Sequence, residues 1–412
     1  MAELMSEFFD SLETRSDDER AADIAEKLPQ LISHACASTP YYQNSLKDVV
    51  AADITSKGAL ASLPILRKSD LIAVQGKPAA FHNFIALPAS KIEHIFQSPG
   101  PIFEIGMRSA DWWRFGRAVK AVGIGAGDIV QNCFSYHFTP AGVMFESAAQ
   151  AVGATVVPAG TGQTELQAQS IAQLGVTAYA GTPDYLLSIL EKADEMGLDS
   201  SSVKYACVSA GPLFPQLREA YAARNIHCRQ CYGTADVGMI AYESELTDGM
   251  ITDEGVIVEI VTPGTGTPVA EGEIGEVVVT SFNRDMPMIR FATGDLSAYM
   301  AGQSPCGRTN QRIVGWRGRA DQAAKVKGMF VRPEQAAQFV GRFDTVSKLR
   351  LTITHDGSKD ILSAQIEASA GNEAEFMQAV QDIFKLRASV EIVPIGSLPK
   401  DGIVIDDKRD IG

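Results

Sequence analysis

Positive charge is what this chain has too little of. Its 36 Lys and Arg face 50 Asp and Glu, and the formal net charge of -14 argues against a surface built for a nucleic-acid backbone or an anionic membrane. One local pocket for a small anion is still compatible with that balance. Long apolar runs are missing as well, since no uninterrupted hydrophobic stretch is long enough to span a bilayer. Residues 1–28 carry Glu, Asp and Arg where a secretory signal would have an apolar core. The six cysteines are scattered without a paired framework, which fits a reducing compartment. These absences together predict a cytoplasmic protein with no nucleic-acid partner and no membrane partner. Neither repeats nor disorder-biased tracts are evident, and 412 residues with 45% hydrophobic and 21% charged content suit one large core plus a smaller unit.

What is present is organised around residues 232–236, Tyr-Gly-Thr-Ala-Asp. A tight turn of this composition suits a nucleotide: the ring can stack, the glycine lets backbone approach, and the acid can hold magnesium. An ordinary strand-to-helix turn with Asp236 near a helix start explains the pentapeptide equally well. Upstream, an apolar run ends in Ser209-Ala210-Gly211-Pro212, and a helix-like segment over 216–225 leads to the short stretch 226–230.

Along the chain, residues 1–60 read as polar and helical, and Ser69 or Asp70 could cap a short helix after 63–68. Residues 92–104 read as a strand broken by Pro99-Gly100-Pro101, a rigid turn whose two prolines remove donors and make a poor phosphate cradle. From 111 to about 250, helices (112–122, 141–152, 164–174) alternate with strands (128–134, 154–158, 176–180). That alternation predicts a parallel sheet with ligands at the carboxyl ends of its strands. Beyond 250 the pattern turns to strands and hairpins, with 287–291 leading into Thr293-Gly294-Asp295. The last stretch reads as strand, helix (333–342), two strands (348–354, 361–367), helix (373–386) and strand (390–394), a small α+β unit of its own.

Several segments carry a resemblance in their order and spacing: 63–71, Gly181-Thr182-Pro183, 232–236, 287–296, 305–309, 318–333 and 396–409. In these the chain resembles the phenylacetate-coenzyme A ligase family of adenylate-forming enzymes, which activate a carboxylic acid with ATP and pass the acyl group to coenzyme A. The resemblance implies an α/β fold with a large N-terminal AMP-binding domain of layered sheets and helices over 1–320. It also implies a small mobile C-terminal α+β lid domain over 322–412, with a hinge near Asp321. A homodimer is expected from the resemblance alone.

Site residues follow from it position by position. Tyr232 would lie along the adenine of ATP or AMP, with Ala210, Gly211 and Pro212 at the other edge of the base. Gly233, Thr234 and Ala235 would face the α-phosphate, and Ser98 the remaining phosphates. Asp295 would hold both ribose hydroxyls with its two oxygens; a Gly-Asp hairpin turn is its bland alternative. Arg319 would reach ribose or phosphate, the alternative being a surface ion pair. Asp236 stands where a Glu is usual and would hold magnesium through a shorter arm. Tyr136, His137, Phe138, Ala141, Gly142 and Gly238 would form the acyl pocket and favour an aromatic or apolar acid, unless they are simply core. Lys327 would approach the acyl-AMP in the thiol-transfer step.

Three departures from the family pattern stand out. The phosphate loop is Gln97-Ser98-Pro99-Gly100-Pro101, poor in hydroxyls. The places where some relatives bind zinc are Ser244, Ile251 and Ser304, leaving only Cys306, so no zinc is expected. Cys228 and Cys231, with His227, are expected to pack beneath Tyr232. The third departure is Ile403, which occupies the position of the family's adenylation lysine. Either Lys400 substitutes for it, or the lysine has been lost or replaced. The implied activity is acid activation through acyl-AMP and transfer to coenzyme A, with adenylation impaired. A nucleotide-binding relic without turnover, or an enzyme loading a carrier-protein thiol, are the alternatives.

Overall fold

The computed structural model describes residues 8–75, 80–98, 102–211, 213–245, 249–318, 320, 324–326, 329–355, 360–399 and 403–409. The chain divides into two compact units, one of Met1–Thr293 with Ser297–Trp316 and one of Gly294–Leu296 with Arg317–Gly412.

In the first unit, residues 129–208 alternate strand and helix as their sequence period demands. The helix Thr164–Leu174 buries Gln167, Ala168 and Ile171 and stops at Gly175, whose φ of 62° is the left-handed conformation that ends helices cheaply at glycine. The next strand, Ala178–Gly181, is buried at every position, as expected of a parallel strand covered on both faces. Thr155–Val157, Ile129–Asn132, Ala178–Gly181, Tyr205–Val208 and His227–Thr234 pair in that order, all parallel. The sheet then changes sense, and Gly238–Tyr242, Met250–Thr252, Arg312–Ile313 and Tyr299–Met300 add antiparallel strands at its far edge. Because the parallel strands run the same way, the segments after Asn132, Gly181, Val208 and Thr234 all emerge at one edge, where such sheets bind ligands.

A second sheet is ordered Leu66–Arg67, Met288–Ser297, Gly275–Ser281 and Val256–Val261. Met288–Ser297 runs through Thr293, Gly294 and Asp295, so the bland alternative of a Gly-Asp hairpin turn does not hold; Gly294 accommodates the strand with a φ of 77°. The segment 92–106 is an antiparallel hairpin of His94–Ser98 and Ile102–Gly106. The expected helix over 112–122 is shorter, Gly116–Ala121. Trp112 and Trp113 precede it in a turn, with Trp113 2% exposed in the core and Arg114 at positive φ. Aromatic burial thus overrides local helical preference there.

The N-terminal stretch is held by charges taken out of water. Glu13 pairs with Arg308 at 2.6 Å and accepts from the Tyr242 hydroxyl at 2.7 Å, while Arg15 and Arg20 both reach Glu254. Asp253 bridges Arg114 and Arg117 at 2.8 and 2.6 Å. Asp70 does not cap its helix from outside; from inside Lys68–Gln75 it accepts from the Arg67 backbone N–H at 2.8 Å.

The second unit begins with the hairpin Ala324–Val326 and Met329–Val331. A sheet follows, ordered Ser389–Val393, Asp360–Ala368, Val346–His355 and Ile405–Asp407, with the helices Pro333–Gly341 and Glu373–Phe384. Phe339, Phe376 and Phe384 pack with Leu349, Leu351 and Ile366 as its core. The strand Ile405–Asp407, which pairs in parallel with Leu351–Ile353, is not evident from sequence: three residues ending in two acids carry no readable period. Among the described residues no helix is long and apolar enough to cross a membrane.

Candidate functional site

Tyr232, Gly233 and Thr234 complete the strand His227–Thr234, so the turn is shorter than the pentapeptide suggests and begins at Ala235. Pairing with the next strand slips between Tyr232 and Gly233, leaving Thr234 opposite Gly238. The close approach requires glycine: a Cβ on Gly233 would lie 2.6 Å from the Gly238 carbonyl oxygen and 2.7 Å from the Phe115 ring. Thr234 Oγ1 then accepts from the Val237 N–H at 3.3 Å, which closes the turn. Beneath it, Cys228 and Cys231 are buried as expected, whereas His227 is exposed and stacks on Tyr205.

The Tyr232 hydroxyl donates to Thr293 Oγ1 at 3.1 Å, and Thr293 in turn donates to the Val277 carbonyl at 3.0 Å. Asp295 lies two residues further along the Thr293 strand, 8% exposed. On the other flank, Ser209 donates its hydroxyl to the Cys231 carbonyl at 2.9 Å, and the Gln230 amide donates to the Gly211 carbonyl at 2.9 Å. The exposed Ala210 therefore sits on a loop anchored to the Tyr232 strand, with a strained φ of 61°.

Asp236 is buried, with one oxygen 3.6 Å from the Lys68 ammonium and the other, Oδ1, without a hydrogen-bond partner. Burial pushes its carboxyl up, opposed by Lys68 and by the Thr234 hydroxyl. Glu104, only 1% exposed, accepts from the Ser98 hydroxyl across the 94–106 hairpin, and its Oε2 is likewise unpartnered. Burial, then the nearby Asp236 charge, pushes Glu104 up to about 8, against the pull of Ser98 and Lys68. A buried carboxylate oxygen that no donor satisfies is expensive unless something cationic reaches it, so the donor set of Asp236 fits a magnesium ion. Neither Glu104 nor Lys68 stood out as a site residue in the sequence. Lys68 lay within a matched segment, but nothing local signals that a glutamate in an apolar strand will face Asp236.

The expected acyl-pocket residues are only partly gathered. Tyr136 is pinned by donating to Glu146 at 2.8 Å and accepting from the Asn132 amide at 2.8 Å; Asn132 also bonds the Gly142 carbonyl. A Cβ on Gly142 would meet the Tyr136 ring at 2.7 Å, so glycine makes room for the ring. Phe138 is 73% exposed at a φ of 59°, His137 is exposed beside it, and Ala141 begins the helix Ala141–Ala151. The Phe138 carbonyl accepts from the Gln97 N–H at 2.9 Å, which joins this loop to the strand carrying Ser98. Gly238 faces elsewhere, its missing side chain leaving room for the Trp113 backbone at 2.6 Å.

Pro212, Arg319, Lys327, Lys400 and the expected hinge at Asp321 lie outside the described residues, as do Pro99, Gly100 and Pro101. Ile403 is half-buried just before the strand Ile405–Asp407, and the Leu351 N–H bonds the neighbouring Val404 carbonyl at 2.8 Å. Among the described residues no three Cys, His, Asp or Glu side chains group as a metal-binding set. Burial raises the Cys306 thiol, but hydrogen bonds with Ser244, Ser304 and Arg308 outweigh it and bring the thiol below its ordinary value.

The chain also has similar counterparts among known proteins. The family described as AMP-binding enzyme matches residues 108–283. The phenylacetate-coenzyme A ligase of Aromatoleum evansii is 28% identical over 391 residues, 90% of this chain and 87% of that protein. Its counterpart in Escherichia coli is 27% identical over 421 residues, 95% of this chain and 94% of that protein. Among solved structures, 2-hydroxyisobutyryl-CoA ligase in the postadenylation state with 2-HIB-AMP superposes with a TM-score of 0.80 at 24% identity, covering 96% of this chain and 91% of that one. ATP-bound MatB from Rhodopseudomonas palustris superposes with a TM-score of 0.58 at 16% identity, covering 78% and 68%.

Proposed function

We propose, from the premise that this chain is an adenylate-forming, AMP-binding enzyme related along nearly its whole length to phenylacetate-coenzyme A ligases, that it converts a small carboxylic acid into a coenzyme A thioester through an acyl-AMP. The observation that carries this reading is the set of buried or anchored groups at one edge of the large sheet. There the Tyr232 ring is held by Thr293, the 209–211 loop by Gln230 and Cys231, and Asp236 carries an unpartnered oxygen.

In this reading the Tyr232 ring lies along the adenine, with Ala210 and Gly211 at its other edge. Thr234 faces the α-phosphate, and Asp295 takes the ribose hydroxyls. The acid needs no general base, because a carboxylate is already ionised at neutral pH. Its oxygen attacks the α-phosphorus, the bond to the bridging oxygen breaks, and pyrophosphate leaves; catalysis is positioning and charge stabilisation. Magnesium, held by Asp236, would neutralise phosphate charge. A thiol then attacks the acyl carbon and AMP departs. The exposed Phe138 and the pinned Tyr136 favour an aromatic or apolar acyl group.

Ile403 favours a second, narrower version. An apolar side chain where the resemblance implies a lysine cannot offset charge as pyrophosphate departs, so adenylation is slow while thiol transfer from preformed acyl-AMP persists. The experiment is a panel of carboxylic acids with ATP and magnesium, reading pyrophosphate release and hydroxamate formation, followed by offering coenzyme A and a carrier-protein thiol. Pyrophosphate with aromatic acids and AMP release on adding coenzyme A is the expected result. AMP binding without pyrophosphate from any acid would make the chain a nucleotide-binding protein, and transfer only to the carrier would change the acceptor.

A further inference from the structure

Glu104 is an odd residue to find where it is. It lies in the strand Ile102–Gly106, directly after the segment that would cradle phosphates, and it is 1% exposed. An ionised acid there repels a nucleotide's phosphates, so a site that binds ATP would do better with almost any neutral side chain. Nor is Glu104 a satisfied structural acid: the Ser98 hydroxyl occupies Oε1, and Oε2 is buried without a hydrogen-bond partner. Asp236 presents the same pattern, with Lys68 near Oδ2 and Oδ1 buried and unpartnered. Each of these buried carboxyls keeps one unsatisfied oxygen, and Glu104 lies in the field of both Asp236 and the Lys68 ammonium. Leaving such oxygens bare costs free energy, and a divalent cation removes the cost for both at once.

We propose that Glu104 is a second carboxylate ligand, with Asp236, for one divalent cation. The proposal rests on the adenylating reading and adds a residue to it. Magnesium is commonly held by one or two carboxylates, with waters and substrate phosphates filling the remaining octahedral positions. Glu104 then compensates for two local losses. Asp236 reaches less far than a glutamate would, and the 97–101 loop supplies few donors of its own to the phosphates. A cation gripped from two sides holds the phosphates through the metal instead of through the loop. Ser98 orients Glu104 by its hydrogen bond, since Ser98 and Glu104 are diagonal neighbours on one face of the hairpin. Lys68 balances part of the charge and stays on the far oxygen of Asp236.

The test is manganese binding to the full-length protein without nucleotide, followed by electron paramagnetic resonance. Wild type is expected to bind one manganese, and Glu104→Gln and Asp236→Asn to weaken it each by about tenfold or more. Glu104→Asp, which withdraws the carboxylate by one methylene, is expected to fall between Gln and wild type. The thermal midpoint supplies a check independent of the spectroscopy: magnesium should raise it in wild type and not in Glu104→Gln. Wild-type manganese affinity in a folded Glu104→Gln protein, or no manganese bound by wild type, overturns the proposal. AMP binding measured by calorimetry without metal separates the two readings. Its absence removes the adenylating reading, whereas its presence with a manganese affinity indifferent to Glu104 removes only the role of Glu104.

Discussion

The Tyr232 hydroxyl donates to Thr293 Oγ1 across 3.1 Å, joining the end of a strand in the large sheet to a strand of the second sheet. Sixty-one positions separate the two residues in sequence, and the bond sets the angle at which the ring faces the edge where the other candidate site residues gather. Tyr232→Phe is expected to lower the unfolding free energy by about 1 kcal/mol while leaving AMP affinity nearly unchanged, because the stacking ring remains. Tyr232→Ala should lose the stacking as well, worth about 1–3 kcal/mol of binding. Calorimetric titration with AMP beside denaturant unfolding checks both; an equal loss of AMP affinity in Phe and Ala would show that the hydroxyl, not the ring, meets the base.

Ile403→Lys is expected to accelerate pyrophosphate release by supplying a cation where the family resemblance implies an adenylation lysine. The rate of AMP release from supplied acyl-AMP and coenzyme A should change little. Stopped-flow or coupled assays of the two half-reactions make the comparison, and no gain in pyrophosphate release would mean that position 403 is not the lysine position.

Gly233→Ala is expected to destabilise the first unit by about 1–3 kcal/mol, since the new methyl meets the Gly238 backbone and the Phe115 ring. The backbone cannot yield as a flexible side chain would. A shift in the denaturation midpoint measures it, and AMP binding should weaken in parallel because the strand end carrying Tyr232 is displaced.

Asp111 provides a pH test away from the candidate site. Burial, opposed by the Gly116 N–H and then reinforced by Asp253, raises its carboxyl to about 7. The unfolded chain ionises the same group near pH 4, so the folded state holds the extra proton between these values. Its contribution to stability is therefore fully present below about pH 4 and is lost as pH rises toward 7. Asp111→Asn, which can still accept from Gly116, should flatten that loss. Unfolding measured at pH 5 and pH 7 in wild type and variant compares the slopes, and identical slopes would refute the assignment.

Much of the scaffold is legible in the sequence. The strand-helix alternation over 129–208 is a local property, because apolar period and glycine stops such as Gly175 are written residue by residue. The segment 92–104, read from sequence as an interrupted strand, supplies most of the paired strands His94–Ser98 and Ile102–Gly106. Less legible were elements whose conformation depends on what packs against them. Trp112 and Trp113 leave the helix because the core takes Trp113, and Ile405–Asp407 becomes a strand because Leu351–Ile353 is there to pair with it.

By itself the sequence determined the α/β class, the acidic balance, and which residues match the AMP-binding pattern, because each of these is a matter of composition, period or local order. Only the tertiary structure decided which of those residues meet. It put Tyr232 on Thr293, tied the Phe138 loop to the Gln97 strand, and set Glu104 in the field of Asp236 with a buried oxygen on each left unsatisfied. Contacts of this kind join positions tens to more than a hundred residues apart, and a buried carboxyl looks in sequence like any exposed one. Its cost arises only when folding removes the water around it.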